Sequence, residues 1–406
     1  MKTLTRRRAA QAGGALLLLA PVAARAEKKY DPGVTDTEIK LGNTSPYSGP
    51  VSVYGTMGIA ETAYWQMVND QGGINGRKIK FISYDDGYVP PKTVELVRKM
   101  VEDENVFAMF SILGSATNAV VQKYLNQKKV PQLFSSSGAS RFGDPANYPW
   151  TMGFQPDYAT EGEIYARHAL TTDKAAKLGI LYQNDDAGKD NLAGFKRALK
   201  GDEARQLVAA ISYEVTDPTL DTQVIQLKGS GATAIFLAAG AKYAAQAIRK
   251  IADLGWKPTI YLATASSSVG GVLKPAGLDN STGILTASYL KDPTDKQWDA
   301  APDMVAWKAW MERYLPKGNQ ADVLNVTAYA MGSAMRLVLE RCGDELTRDN
   351  LMRQATSLKK VTIPLLLPGI TLNTSPTDYF PIQSARLARF DGETWRLFGE
   401  LISGDN

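Results

Sequence analysis

What most constrains this chain is a strand–helix alternation that begins at Ile39 and runs on to Leu262. Ile39-Lys40-Leu41-Gly42-Asn43 reads as a strand entering the loop Ser45-Pro46-Tyr47-Ser48-Gly49-Pro50. A helix follows to about Gln71, because Ile59, Ala60, Ala63, Tyr64, Met67 and Val68 recur at helical spacing. Gly72-Gly73-Ile74-Asn75-Gly76 is a turn whose glycines and Asn suit positive φ. Then come strand Ile79–Tyr84, helix Pro91–Asp103 opened by prolines, strand Val106–Ile112, helix Thr117–Gln127 and strand Val130–Phe134. A βαβαβαβ series requires a parallel sheet covered on both faces.

A second series starts after Trp150–Phe154. It runs through helix Thr160–Leu170, strand Leu178–Gln183, helix Gly188–Lys200, strand Gln206–Tyr213 and helix Asp221–Lys228. Strand Ala234–Ala238, helix Lys242–Leu254 and strand Thr259–Leu262 complete it. Two similar α/β series predict two similar lobes. In the tail, Met304–Tyr314 and Val323–Arg341 read as amphipathic helices. Ala385–Phe390 and Thr394–Leu401 read as a hairpin around Asp391-Gly392. No low-complexity linker separates the halves, so several short crossings are expected to join them.

In open parallel sheets, ligands sit beyond the C-terminal strand ends. Here those loops are Ser45–Tyr54, Gly114–Asn118, Ser135–Ser140, Gln183–Gly188, Ala239–Tyr243 and Thr264–Ser268. Their Ser, Thr, Asn, Gly and Ala offer hydroxyls and backbone N–H groups that suit an anion at helix starts. Ordinary helix capping uses the same residues. The recurrence of such loops in both series favours a binding cleft.

Residues 1–26 have the basic start (Lys2, Arg6, Arg7, Arg8), short apolar run (Ala15–Ala20) and Ala24-Arg25-Ala26 end of a secretory signal. The run is shorter than the roughly 20 apolar residues that span a bilayer. Export with cleavage after Ala26 is therefore expected, by the general secretory or the twin-arginine route. No other stretch is long and apolar enough to span. The segment carries five cations and no acid, so 46 Lys and Arg fall to 41 against 42 Asp and Glu. A mature chain near neutrality has no electrostatic case for nucleic acid. Cys342 stands alone and cannot form an internal disulfide.

Catalytic signatures are sparse. His168, the one histidine, falls inside a helix, so Ser–His–Asp, Cys–His and His-based zinc sites lack parts. There is no G-x-S-x-G elbow, phosphate-binding G-x-x-x-x-G-K-[ST] loop or G-x-G-x-x-G after a strand. Asp85-Asp86 and Asp185-Asp186 could pair for acid–base work. Gly87 follows the first pair directly, which favours a loop-organising role. The chain is read as a binding protein rather than an enzyme, with no cofactor.

Gly33-Val34-Thr35-Asp36-Thr37-Glu38-Ile39-Lys40-Leu41-Gly42, Ser48-Gly49-Pro50, Tyr54-Gly55, Gly72-Gly73-Ile74-Asn75-Gly76-Arg77-Lys78-Ile79 and Asp85-Asp86 stand in order. With Ser115, Val130-Pro131, Tyr182 to Gly188 and Ala276-Gly277, this pattern resembles the periplasmic leucine/isoleucine/valine-binding protein family over essentially the whole mature chain. Those proteins are receptors of branched-chain-amino-acid-type ABC importers. Pro149-Trp150-Thr151-Met152-Gly153-Phe154-Gln155-Pro156 resembles a branch that includes receptors for aromatic acids.

The resemblance implies two Rossmann-like lobes (the type I periplasmic binding protein fold) joined by three hinge strands around a ligand cleft. The first lobe is expected over residues 27–156 and about 289–365, the second over 157–288 and about 366–406. It further implies that Tyr54 covers the ligand's apolar part. Ser115, with Ala116 beside it, and the Ser137-Gly138-Ala139 turn would hold a carboxylate. Tyr158, Thr264, Ser266 and Tyr289 are candidates by strand-end placement, and Asn184 or Asp186 could accept a ligand hydroxyl. Where amino-acid receptors of the family place an acid for the ligand's ammonium, this chain has Ala265, and Ala187 and Ala241 stand where aromatics are found. An unpaired buried ammonium costs several kcal/mol, so a carboxylate without an α-ammonium, aromatic or extended and apolar, is the expected ligand. The implied partners are a membrane permease and its ATPases, with the receptor a periplasmic monomer. The alternatives are an amino-acid or amide receptor of the same family, an extracellular sensor domain, and a secreted hydrolase using the Asp pairs.

Overall fold

A computed structural model describes residues 28–403; the expected signal segment and its cleavage point after Ala26 lie outside the described residues. The chain opens with β1 (Lys29–Tyr30), β2 (Glu38–Ser45), α1 (Gly55–Asp70), β3 (Lys78–Asp85), α2 (Pro90–Glu102), β4 (Ala108–Phe110), α3 (Ser115–Lys128), β5 (Gln132–Ser135) and β6 (Thr151–Gly153). Strands β2 to β6 form a parallel sheet in the order β3-β2-β4-β5-β6. The order reverses at β2, so the loops after β2 and β4 diverge at the C-terminal edge and leave a crevice. Ala108, Met109 and Phe110 have no exposed surface, as a parallel strand covered on both faces requires.

The second series gives α4 (Tyr158–Thr172), β7 (Leu178–Gln183), α5 (Asp186–Arg197), β8 (Leu207–Tyr213), α6 (Asp221–Gly229), β9 (Ala234–Ala238), α7 (Ala241–Asp253) and β10 (Thr259–Leu262). Two short helices, α8 (Lys274–Ala276) and α9 (Leu278–Ser281), lead to β11 (Leu285–Ser288). The chain then supplies α10 (Pro302–Tyr314), α11 (Val323–Cys342), β12 (Glu345–Leu346), which pairs with β1, and α12 (Arg348–Ala355). It ends with the hairpin β13 (Ser384–Phe390) and β14 (Trp395–Ser403). The second sheet has the order β14-β13-β11-β10-β9-β7-β8, parallel from β8 to β11 and antiparallel at its hairpin edge.

Each sheet carries a core on both faces. Over the first, α1, α10, α11 and α12 bury Tyr64, Trp65, Trp307, Met331 and Leu351, while α2 and α3 bury Val97, Met100, Val121 and Leu125 on the other side. Over the second, α6 and α7 bury Val224, Leu227 and Ile248, opposite α4 and α5 with Tyr165 and Phe195. The helix expected to be amphipathic near the C-terminus is instead a core helix. Of the 20 residues of α11, 13 are buried. Gly332 permits this, since a Cβ there would lie 2.6 Å from the Tyr64 ring of α1.

The chain passes between the sheets three times: from β6 to α4, after β11, and between Ile382 and Ser384. The stretch from 366 onward, expected in the second lobe, first contributes Leu366, Leu367, Ile370, Leu372, Tyr379 and Ile382 to the first core. Only the final hairpin joins the second sheet. Among the described residues no helix is long and apolar enough to cross a membrane.

Candidate ligand site between the lobes

The C-terminal edges of the two sheets face each other across a cavity of about 150 Å³. On the first lobe its wall is the start of α3. Gly114 precedes that helix with φ +96°, and a Cβ on it would lie 2.2 Å from Cε2 of Tyr88. Glycine is therefore required twice, by the left-handed backbone and by the ring against it. Because Gly114 has no side chain, no side chain caps α3. Its first-turn N–H groups and partial positive charge are thus available to an anion. Ser115 Oγ lies 2.7 Å from Ser137 Oγ, which also accepts the Ala139 N–H at 3.2 Å.

Tyr54 reaches from the turn before α1 to the second lobe. Its hydroxyl accepts the Ala241 N–H at the start of α7, at 2.9 Å, and lies 3.1 Å from Ser266 Oγ. Ser266 spends its one proton on the Ala239 carbonyl at 2.6 Å, so the Tyr54 hydroxyl is the donor to Ser266. The link joins the lobes in a buried setting that raises the Tyr54 pKa. Farther out, Arg141 Nη1 pairs with Asp186 at 2.8 Å, and Ser140 donates its N–H to Asp190 (2.8 Å) and its hydroxyl to Asp157 (2.7 Å). Burial and then the charges of Asp157, Asp186 and Asp185 push Asp190 up to about 6, against the Ser140 N–H that favours its ionised form.

The second lobe's wall is rich in small residues, Ala187, Ala238, Ala239, Gly240, Ala263 and Ala265, with one acidic side chain among its lining residues. That side chain is Glu161 in the first turn of α4, only 6% exposed. Its Oε1 lies within hydrogen-bond distance of three donors: the Thr264 N–H at 2.6 Å, the Thr264 hydroxyl at 2.7 Å and the Tyr165 hydroxyl at 2.9 Å. Its Oε2 has no partner among the described residues. Burial raises its pKa, opposed by the donors from Thr264 and Tyr165.

Of the twelve residues proposed from sequence, Tyr54, Ser115, Tyr158, Thr264 and Tyr289 line the cavity. Ala116 is in the first turn of α3 but not on the wall, while Ser137, Gly138 and Ala139 form the layer behind Ser115. Ser136 stands on the wall in their place. Ser266 is buried under Tyr54, and Asp186 sits on the rim paired with Arg141. Asn184 donates to Glu214 instead. Sequence reasoning missed Glu161, Tyr88, Gln155, Gln183 and Asn191. Glu161 had one signal: it follows Tyr158 by three residues and shares its helix face. The expectation that Ala265 leaves the cleft without an acid does not hold, because Glu161 arrives from α4 and docks on the same turn.

The Asp pairs serve the loops. Asp85 accepts from Ser48 and the Gly87 N–H, Asp86 from the Tyr88 N–H and Thr93, and Asp185 caps α5 through the Gly188 N–H. His168 Nδ1 meets the Tyr261 hydroxyl at 2.7 Å, off the cavity wall. Among the described residues no group of three or more His, Cys, Asp or Glu could hold a metal ion.

The chain is 24% identical over 325 residues to Leu/Ile/Val-binding protein homolog 3 of Brucella melitensis, covering 75% of this chain and 80% of that one. It superposes on a branched-chain amino acid ABC transporter protein from Thermus thermophilus with bound valine (TM-score 0.81, 15% identity, 91% and 98% covered). It also superposes on an ABC transporter solute-binding protein from R. palustris in complex with benzoate (TM-score 0.76, 18% identity, 91% and 98% covered). A family model described as periplasmic binding protein matches residues 38–394. With two lobes, three crossings and a cavity between them, this chain belongs to the periplasmic binding protein family, whose members are solute-binding receptors rather than enzymes.

Proposed function

We propose that this protein is the substrate-binding receptor of an ABC importer, capturing a small carboxylic acid in the periplasm. The observation that carries the reading is the cavity between the lobes, mostly apolar, with an uncapped helix start on one wall. A volume of about 150 Å³ equals that of an engineered protein cavity that takes benzene, which favours a ring or a compact apolar body. Ser115 and the first-turn N–H groups of α3, Ala116 included, hold the ligand's carboxylate. Ser137, Gly138 and Ala139 support them from behind. Tyr54, Tyr158 and Tyr88 enclose the apolar part, and Thr264 completes the second wall.

Ligand that touches both walls stabilises the closed form, and a two-lobed receptor signals occupancy by that closure. A permease with its ATPases reads the closed form of the monomeric receptor from the outer rims. Valine and benzoate, the ligands of the two structures above, are both carboxylic acids, which supports the class without fixing the member.

A thermal-shift panel of aromatic, aliphatic and amino acids on the mature chain tests the proposal. A ligand at a hundredfold excess over Kd stabilises the folded state by about 2.7 kcal/mol. One carboxylic acid class should raise Tm by several degrees, and a Ser115→Ala variant should need more of it. A flat response to every carboxylic acid overturns the reading.

A further inference from the structure

Glu161 poses a question that carboxylate capture leaves open. It is the one charged side chain among the residues lining the cavity, and no Lys, Arg or His stands on the wall to neutralise it. Its Oε1 accepts the Thr264 N–H and has the Thr264 and Tyr165 hydroxyls within hydrogen-bond distance, whereas Oε2 has no hydrogen-bond partner among the described residues. Asn191, 4% exposed, lines the same wall with an amide oxygen that also lacks a partner. Glu161 therefore brings an acceptor without a partner to the second lobe's wall, across from the donor-rich start of α3. Buried polar groups are ordinarily satisfied, and an open acceptor is closed by a donor.

We infer that Glu161 is a specificity-determining residue that accepts from an O–H or N–H group on the ligand, so that the preferred ligand is a carboxylic acid carrying a hydroxyl or ammonium at its second-lobe end. The inference rests on the carboxylic-acid reading above. A carboxylate with no donor would bring a second negative charge into a cavity that has no cation, and would leave Oε2 open. A donor-bearing acid satisfies both walls at once. The two sources of the donor differ in charge. An ammonium needs Glu161 ionised, whereas a hydroxyl can bond the carboxyl in either state.

Isothermal titration with two matched pairs tests this: benzoate against 4-hydroxybenzoate, and phenylacetate against phenylglycine. In the natural chain the donor-bearing member of at least one pair should bind at least tenfold more tightly. In Glu161→Gln an ammonium preference should collapse, because the charge is gone, while a hydroxyl preference should survive in part. In Glu161→Leu either preference should vanish. Melting curves of both variants establish that they fold. Only an ammonium preference should weaken as pH falls, since protonation removes the charge it pairs with. Equal affinities within both pairs, or a preference that persists in Glu161→Leu, overturn the inference while leaving the receptor reading intact. Failure of all four acids to bind, with other carboxylic acids binding, overturns the inference alone; failure of every carboxylic acid overturns both.

Discussion

Among the described residues each lobe buries one glutamate without a cation beside it, and the two are held differently. Glu61, on α1 in the first lobe, is 1% exposed, and neither of its oxygens has a hydrogen-bond partner. Thr44 and Ser45, in the same lobe, also have unpartnered hydroxyls. Glu161, in the second lobe, has donors from Thr264 and Tyr165 on one oxygen and none on the other, and it lines the cleft. Burial raises the pKa of both. Depth alone therefore does not distinguish an acid that serves a ligand from one that weighs on stability. The distinguishing features are donors on one oxygen only and a place on the cavity wall.

The sharpest way to break this comparison is Glu161→Leu. It leaves the Thr264 N–H without its acceptor, while the Tyr165 hydroxyl keeps the Leu262 carbonyl, and should destabilise the fold by about 2 kcal/mol. Urea denaturation measures this, and a loss under about 1 kcal/mol would mean that this donor finds another partner.

Glu61→Gln should act in the opposite sense and more weakly. The folded state holds the Glu61 proton that the unfolded chain releases near its ordinary value of 4.5. Its contribution to stability is therefore complete below that pH and is lost as pH rises through the raised folded value. A tenfold difference in proton affinity between the folded and unfolded chain is worth about 1.4 kcal/mol. Denaturation midpoints at pH 5 and pH 8 should show the variant gaining on the natural chain as pH rises. Parallel pH profiles would contradict it.

Tyr54→Phe keeps the ring over the cleft and removes the hydroxyl joined to Ala241 and Ser266. Ligand affinity should fall five- to tenfold, about 1 kcal/mol, through the closed form alone. Small-angle scattering of the liganded variant should show a more open average shape. Arg141→Ala should do least. Arg141 and Asp186 are both partly exposed, and such pairs contribute about 0.5 kcal/mol or less. Affinity should change by less than threefold, and less still at high salt.

Much of the fold is legible in the sequence. Leu178–Gln183, Ala234–Ala238 and Thr259–Leu262 are apolar runs closed by turn residues, and each is a strand over the bounds the pattern gives. The region from 356 to 383 is not legible. Ile363-Pro364-Leu365-Leu366-Leu367-Pro368 looks like a strand, but its prolines break the ladder and Leu365 has φ +71°. It folds as irregular cover for the first core, which only tertiary packing decides. The site divides in the same way. Tyr54, Ser115, Tyr158 and Thr264 follow from strand ends and loop chemistry. A glutamate in a helix reads as solvent-facing, and the neighbours that bury Glu161, on β10 and β11, lie about a hundred residues away along the chain.

The three crossings bear on how the molecule is assembled. Neither core is a contiguous segment: the first needs both Ile39 and Ile382, and the second needs both Leu181 and Trp395. A chain delivered from its N-terminus can finish neither core until its last residues emerge. Contacts so distant in sequence form late, because the intervening loop must first be closed. The two native cores therefore close only when the chain is nearly complete. The cost falls on truncated chains, in which β11 becomes an open sheet edge where β13 and β14 should lie, available to pair with a second copy.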